Sequence, residues 1–296
     1  TPPFSGGVIL MIVLYFFLLK GYLNYSILFF LIFLIGFLSD INILKSPNLR
    51  FFFQIFFLIL FVGILNISID SIKLDFFDNL LKFKYFIIFF SVFCLLILIN
   101  GTNFIDGLNT LAIGYYILVL IFINLVTSEF SYNLFNTDEF VIIFSILFFL
   151  FLLNFFELLY LGDNGAYLIS IFFGVYLINV YAENSSISPY YIMNLLWYPA
   201  YENFFSIIRK IRFKYSAFQP DNLHLHQMIY SYFSKKTKIK KYSNTLSGLF
   251  INLFNFLIFY LATINYSNTK YQILVTTFSL LVYNLVYYFL FKYKKS

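Results

Sequence analysis

Long uncharged stretches alternate with short polar segments along the whole chain. Several match the roughly 20 residues needed to cross the hydrocarbon core of a bilayer. They are apolar on every face and lack the strict alternation of barrel strands. The pattern therefore predicts an all-α, polytopic membrane protein with about ten transmembrane helices, and the mixed-charge segment 69–83 predicts an interfacial loop or a short surface helix. The predicted spans are 8–23, 25–39, 51–68, 84–100, 111–127, 140–156, 166–182, 189–206, 245–264 and 271–291.

Composition agrees with this class. The chain of 296 residues is 61% hydrophobic and only 11% charged, which excludes a soluble domain. We expect a single integral membrane domain over 1–296, with 207–243 as a basic loop on the cytoplasmic side. The one cysteine, Cys94, lies in a hydrophobic run, so neither a disulfide framework nor a thiolate metal site is expected. Because the chain opens on TPPFSGG without an initiating Met, we expect it to start inside a longer protein.

Lysine and arginine positions predict the orientation. With the N-terminus in the cytoplasm, 14 of the 19 Lys and Arg residues fall on the cytoplasmic side and 5 on the other. The same orientation puts four polar segments on the cytoplasmic side, at 39–50, 100–109, 154–165 and 209–227. A transporter, which is one alternative, would more often carry ionisable groups near the bilayer midplane. Polar groups at helix ends instead favour a site that is reached from the cytosol.

The most polar of these segments is NGTNFIDGLNTLAIG, at 100–114, which lies between two uncharged runs. Asn103, Asp106 and Asn109 follow one another at i, i+3 spacing and would share one face of a helical turn. Such side chains offer oxygen ligands to a hard cation or a phosphate. The alternative is a capped loop between two membrane helices.

Two further segments carry an aspartate at a predicted helix end. Asp40 ends one span, and it is either a solvated cap or a carboxylate that takes a proton from an incoming phosphate or orients it. Asp163, in LGDNGAY, is either the N-cap of the next helix or a ligand that holds a divalent cation against a diphosphate. The two roles of Asp163 are compatible.

The fourth segment, RKIRFKYSAFQPDNLHLHQ, contains the only two histidines, His224 and His226. Its basic residues can be plain topology signals. A transition-metal site is disfavoured because there is no third His and no suitable Cys to complete it, and hydrogen bonding to phosphate fits better. The sequence contains neither GxxxxGK[ST] nor GxGxxG, so no standard nucleotide-binding loop is expected.

Together these segments resemble the polyprenyl-phosphate N-acetylhexosamine-1-phosphate transferase family of the WecA/MraY type. TPPFSGG resembles its TPxxGG loop, NFIDGLN its NxxDGxDG motif and LGDNGAY its LGDxGAY signature. Asp40 falls on the second Asp of the family's Asp-Asp pair. The HLHQ sequence, together with Asn109, is similar to a branch that makes O-antigen or capsule lipid precursors, which places the product in cell wall and envelope polysaccharide biogenesis.

The resemblance implies transfer of a sugar 1-phosphate from a UDP-sugar to undecaprenyl phosphate at the bacterial inner membrane, with release of UMP. It implies Mg²⁺, with Mn²⁺ as an alternative, and no nucleic-acid partner; a homodimer is left open. Asp163 and Asn103 would hold the metal, Asp40 would deprotonate or position the lipid phosphate, and Asp106 would support the nucleotide. The expected substrate contacts are Asn100, Asn109, Tyr160, Arg212, His224 and His226.

Three departures from the family pattern are visible. Ser39 replaces the first Asp of the pair, the loop 154–163 is one residue short, and the sequence opens at the loop that follows the family's first transmembrane helix, so we expect a truncated start. A catalytically inactive homologue is therefore a second alternative. The sugar also stays open, with UDP-GlcNAc as the default and UDP-GalNAc, UDP-FucNAc and UDP-QuiNAc as alternatives.

Overall fold

The computed structural model describes residues 5–128, 137–212, 223–236 and 242–295, and the regular structure within them consists of thirteen α-helices. Thr1–Phe4 of the TPPFSGG segment lie outside the described residues. The helices are α1 (Gly6–Leu19), α2 (Leu23–Asp40), α3 (Pro47–Leu65), α4 (Asp75–Leu81), α5 (Lys84–Ile105), α6 (Leu111–Thr127), α7 (Thr137–Phe155), α8 (Gly162–Glu183), α9 (Pro189–Leu195), α10 (Trp197–Arg212), α11 (Leu225–Lys236), α12 (Ser243–Ile264) and α13 (Thr269–Lys295).

Seven of these helices are long and apolar enough to cross a membrane, namely α2, α3, α5, α7, α8, α12 and α13. The shorter helices α1 and α6 are also apolar. The prediction of an all-α, multi-pass membrane protein is therefore confirmed. The short surface helix predicted within 69–83 is also present, as α4.

Helix α8 lies at the centre of the bundle. It is buried along most of its length and packs against α1, α2 and α5, whereas α13 is mostly exposed. Two glycines allow the close approach. A methyl group added to Gly36 of α2 would lie 2.6 Å from the backbone of Asn164, and one added to Gly7 of α1 would collide with the Asn164 side chain. Small residues at helix contacts are the usual means by which membrane helices approach closely.

The predicted span 189–206 is wrong as a single helix, because the chain breaks at Leu196 between α9 and α10. Pro199 has no N–H to donate to the carbonyl of Leu195, four residues earlier. That carbonyl instead accepts a hydrogen bond of 2.8 Å from the Tyr115 hydroxyl of α6. The break separates the apolar α9 from α10, which has a buried face carrying polar and charged side chains.

The predicted basic loop 207–243 is in part helical. Helix α10 continues to Arg212, and α11 covers Leu225–Lys236. Residues 213–222 and 237–241, which include the Pro220-Asp221 pair, lie outside the described part of the chain. Helix α11, in the described piece 223–236, packs against α12 and α13.

Candidate active site

Asp163 lies in the first turn of α8, and side chains from three other helices bond to it. Its Oδ2 accepts hydrogen bonds from the Ser39 hydroxyl at 2.7 Å and from Arg50 Nη1 at 2.6 Å. Its Oδ1 accepts one from Asn103 Nδ2 at 2.6 Å. The Asp163 side chain keeps 26% of its surface exposed. A partly accessible carboxylate thus sits where the ends of α2 and α5 meet the starts of α3 and α8.

The N-cap alternative for Asp163 is wrong. Helix α8 begins at Gly162, and Leu161, which holds the N-cap position, has no side chain that can cap. Asp40 of α2 supplies the missing acceptors: its Oδ1 takes the Asp163 N–H and its Oδ2 takes the Asn164 N–H, both at 3.0 Å. The Asn164 side chain adds a third bond to Asp40 at 2.6 Å. Asp40 is therefore a cap for another helix.

Asp106 follows the end of α5 and accepts the backbone N–H of Gly162. Burial raises the pKa of Asp106 well above its usual range, the negative charges of Asp163 and Asp40 act in the same direction, and the Gly162 N–H opposes them. Three carboxylates thus share a small region around the start of α8. Such a region favours positive charge, whether from a side chain or a cation.

Arg50 is the site residue that the sequence analysis did not select. It is the only charged residue in α3, and its Nη1 contacts both Ser39 Oγ and Asp163 Oδ2. The sequence feature that could have identified Arg50 is its position at the start of a predicted span, just after the Ser46-Pro47 turn. Arg50 offsets part of the negative charge of the cluster, and a guanidinium is well suited to bind phosphate.

Two of the predicted substrate contacts, Asn100 and Asn109, bond to other groups of the protein, and their roles stay predictions. Asn100 donates from its side chain to Gln54 Oε1 at 3.1 Å and to the Leu96 carbonyl at 2.9 Å, inside the contact between α3 and α5. Asn109 does not share a helical face with Asp106, because α5 ends at Ile105. It is buried, and its Nδ2 donates to Glu157 Oε1 at 3.4 Å.

Two more of the predicted contacts are Tyr160 and Arg212. The carbonyl of Tyr160 accepts the Gly6 N–H at 3.1 Å, and the residue is partly buried just before α8. Arg212 is the last residue of α10 and is exposed. The roles that the sequence analysis gives these two residues stay predictions.

Both histidines lie at the start of α11, next to the loop that follows α5. The His224 ring lies 5.1 Å from the Phe104 ring and 5.5 Å from the His226 ring. A methyl group added to Gly107 would lie 2.8 Å from His226 Nε2. Burial lowers the pKa of His226 to about 4, so its imidazole is neutral at pH 7, and neither ring nitrogen has a hydrogen-bond partner among the described residues.

The donor set around Asp163 fits a magnesium ion that arrives with a substrate. No group of three or more His, Cys, Asp or Glu side chains in the described ranges could hold a metal by itself. Magnesium, however, is usually bound by one or two carboxylates together with substrate phosphates. A carboxylate has about four lone-pair positions, and the three hydrogen bonds to Asp163 leave one on Oδ1, next to Asn103.

The model of glycosyl transferase family 4 matches residues 22–181, which is more than half of the chain. The matched range includes Asp40, Asp106 and Asp163 and ends before the two histidines. No curated protein matches the chain.

Proposed function

The chain belongs to glycosyl transferase family 4, and from that premise we propose that it transfers N-acetylhexosamine 1-phosphate from a UDP-sugar to undecaprenyl phosphate. Membership in this family implies a membrane transferase of phosphosugars that acts on a polyprenyl phosphate. The proposal adds GlcNAc 1-phosphate as the default group, UMP as the released product, and initiation of an envelope polysaccharide at the bacterial inner membrane as the role.

One observation carries the proposal: Asp163 is bonded to side chains of α2, α3 and α5 at a single end of the bundle. This is the end at which the sequence predicts the cytoplasm, where UDP-sugars are found. The acceptor is an amphiphile whose phosphate lies at the membrane interface. A polar cluster at helix ends can meet both substrates, whereas a cluster at the bilayer midplane could not.

The reaction joins two polyanions. An oxygen of the lipid phosphate attacks the phosphorus that carries the sugar, and the bond from that phosphorus to the bridging oxygen of UMP breaks. Charge repulsion between the phosphates opposes the approach, so the site needs fixed positive charge and hydrogen-bond donors. In the proposal Arg50 and His226 bind phosphate oxygens, Asp106 supports the nucleotide, and Asp40 keeps α8 and Asp163 in place.

Asp163 and Asn103 would hold Mg²⁺, or Mn²⁺ in its place. When bound, the ion would neutralise charge on the diphosphate and make UMP a better leaving group. The role of the protein is to keep the Asp163 carboxylate oriented, which it does through Ser39 and Arg50. Because Arg50 already bonds Oδ2, we expect it to turn from Asp163 towards a phosphate when substrate binds.

The test is UMP release from UDP-GlcNAc by membranes containing the protein, with undecaprenyl phosphate and Mg²⁺ added. We expect Asp163→Ala to lower the rate by about 10²–10³-fold, the range found when one electrostatic group is removed from an active site. Asp75→Ala is the matched control, since Asp75 is an exposed aspartate of the short helix α4. It is expected to leave the rate unchanged.

A panel of UDP-GlcNAc, UDP-GalNAc, UDP-FucNAc and UDP-QuiNAc identifies the sugar. If wild type and Asp163→Ala release UMP equally across this panel, the proposed activity is wrong. Flux of a substrate across sealed vesicles without UMP would point to the transporter alternative.

A further inference from the structure

Glu202 is a fully buried carboxylate that the sequence analysis overlooked within the predicted span 189–206. It is the only acidic residue of α10 and lies six residues beyond the break at Leu196. A methyl group added to Gly101 of α5 would collide with the carbonyl of Pro199, so α5 and α10 cross in close contact. Glu202 is linked to the end of α5 through its partner His224, whose ring lies 5.1 Å from the Phe104 ring.

Both oxygens of Glu202 are bonded, and the partners come from two other parts of the chain. Oε1 is 2.9 Å from His224 Nδ1 and accepts the Leu225 N–H at 3.2 Å. Oε2 accepts the Tyr283 hydroxyl of α13 at 2.8 Å. A buried carboxylate is costly unless it is paired in this way. Glu202 therefore ties the start of α11 to α10 and α13.

This arrangement affects the position of His226, whose ring nitrogens have no hydrogen-bond partner among the described residues. Its ring stacks on His224 with an angle of 22° between the planes, and its Nε2 faces Gly107. Arg209 supports the same segment from α10, since its Nη1 donates to the Leu223 carbonyl at 2.6 Å. The direction of the His226 ring thus depends on how His224 and the first turn of α11 are held.

We propose that Glu202 is a positioning residue: by holding His224 and the Leu225 N–H, and being held by Tyr283, it sets the His226 ring against Gly107 beside Asp106. The inference rests on the proposed function, in which His226 binds a substrate phosphate. If Glu202 were only part of a structural ion pair, its effect on the reaction would not depend on His226. In this proposal, the effect of Glu202 on the reaction requires His226.

A double-mutant comparison separates these two possibilities. Misplacing a group by about 1 Å can cost about 10²-fold in rate, so we expect Glu202→Gln to lower kcat by roughly 10–100-fold in wild type. In a His226→Gln background the same substitution is expected to cost less than about 3-fold, because residues that act as one unit are not additive. Tyr283→Phe, which removes one hydrogen bond, is expected to cost roughly 2–10-fold.

Tyr201→Phe is the matched control. It also removes a tyrosine hydroxyl, which here accepts a bond from Asn284, and its ring lies 4.8 Å from that of Tyr283. This variant is expected to keep the wild-type rate. Equal losses from Glu202→Gln in the wild-type and His226→Gln backgrounds would overturn the inference.

A second measurement does not depend on activity. Since the chain has two histidines, protein labelled with ¹⁵N-histidine in nanodiscs gives two sets of imidazole signals. We expect Glu202→Gln and Tyr283→Phe to shift the signals of both rings, and Tyr201→Phe to shift neither. An unchanged His226 signal in both variants would overturn the inference. If Glu202→Gln does not fold, the imidazole signals of Tyr283→Phe test the inference. If the wild-type protein releases no UMP, the proposed function is wrong, but the imidazole signals still show whether Glu202 positions the His226 ring.

Discussion

A substitution at Asp40 can distinguish two roles for this carboxylate at the start of α8, namely action on the substrate and capping of the helix. The resemblance gives Asp40 a role on the lipid phosphate, whereas the structure has it accepting the N–H groups of Asp163 and Asn164. Replacing it with Asn keeps the size and shape of the side chain. The variant therefore changes only the charge and one of the two acceptor oxygens.

The expected loss of stability follows from these bonds. Asn offers one carbonyl oxygen, and its NH₂ group would face an N–H donor, so at least one hydrogen bond to a charged acceptor disappears, at about 1.5–3 kcal/mol. The negative charge at the helix N-terminus also disappears, at about 0.3–2 kcal/mol. We expect Asp40→Asn to lower the free energy of unfolding by about 2–4 kcal/mol.

The assay is reversible unfolding in mixed detergent micelles, followed by helical circular dichroism, with UMP release measured on the same samples. Ser46→Ala is the control, because Ser46 caps the exposed start of α3 through Leu49 N–H at 3.4 Å. Loss of that cap is expected to cost about 0.5–1 kcal/mol. If Asp40→Asn abolishes UMP release while its stability equals that of wild type, Asp40 acts on the substrate and the capping argument is wrong.

Two further predictions concern stability alone. Gly36→Ala is expected to lower the melting temperature strongly, because the new methyl group would lie 2.6 Å from the Asn164 backbone and α2 must move away from α8; Gly63→Ala, at an open position of α3, is the control. His226 has a folded-state pKa of about 4, below its ordinary value of 6.5, so the unfolded chain binds the proton first as pH falls. The contribution of His226 should therefore lower the free energy of unfolding by about 1.4 kcal/mol between pH 7.5 and 5.5. In His226→Gln this contribution should be absent, so the free energy of unfolding should depend less on pH. A variant with the wild-type slope would contradict the lowered pKa of His226.

The helices could be predicted from the sequence because membrane spans are set by length and hydrophobicity, which are local properties. The break at Leu196 could not, since the carbonyl freed by Pro199 needs a partner, and that partner, Tyr115, is about 80 residues away. The four segments of the site could be assigned to one side from charge alone. The pairing of Arg50 with Asp163 and of Glu202 with His224 needed the packing of helices that are distant in sequence.

The start of α8 explains why these residues gather at all. The first N–H groups of any helix need acceptors, and near a membrane water cannot be relied on to supply them. The N-cap position of α8 is occupied by Leu161, so the acceptors must come from other helices, and Asp40 and Asp106 serve in this way. Asp163 differs from both, because its carboxylate is bonded only to side chains. It can therefore exchange Arg50 for a cation or a substrate while α8 keeps its caps, and it is the carboxylate of this cluster that is best suited to change partners during turnover.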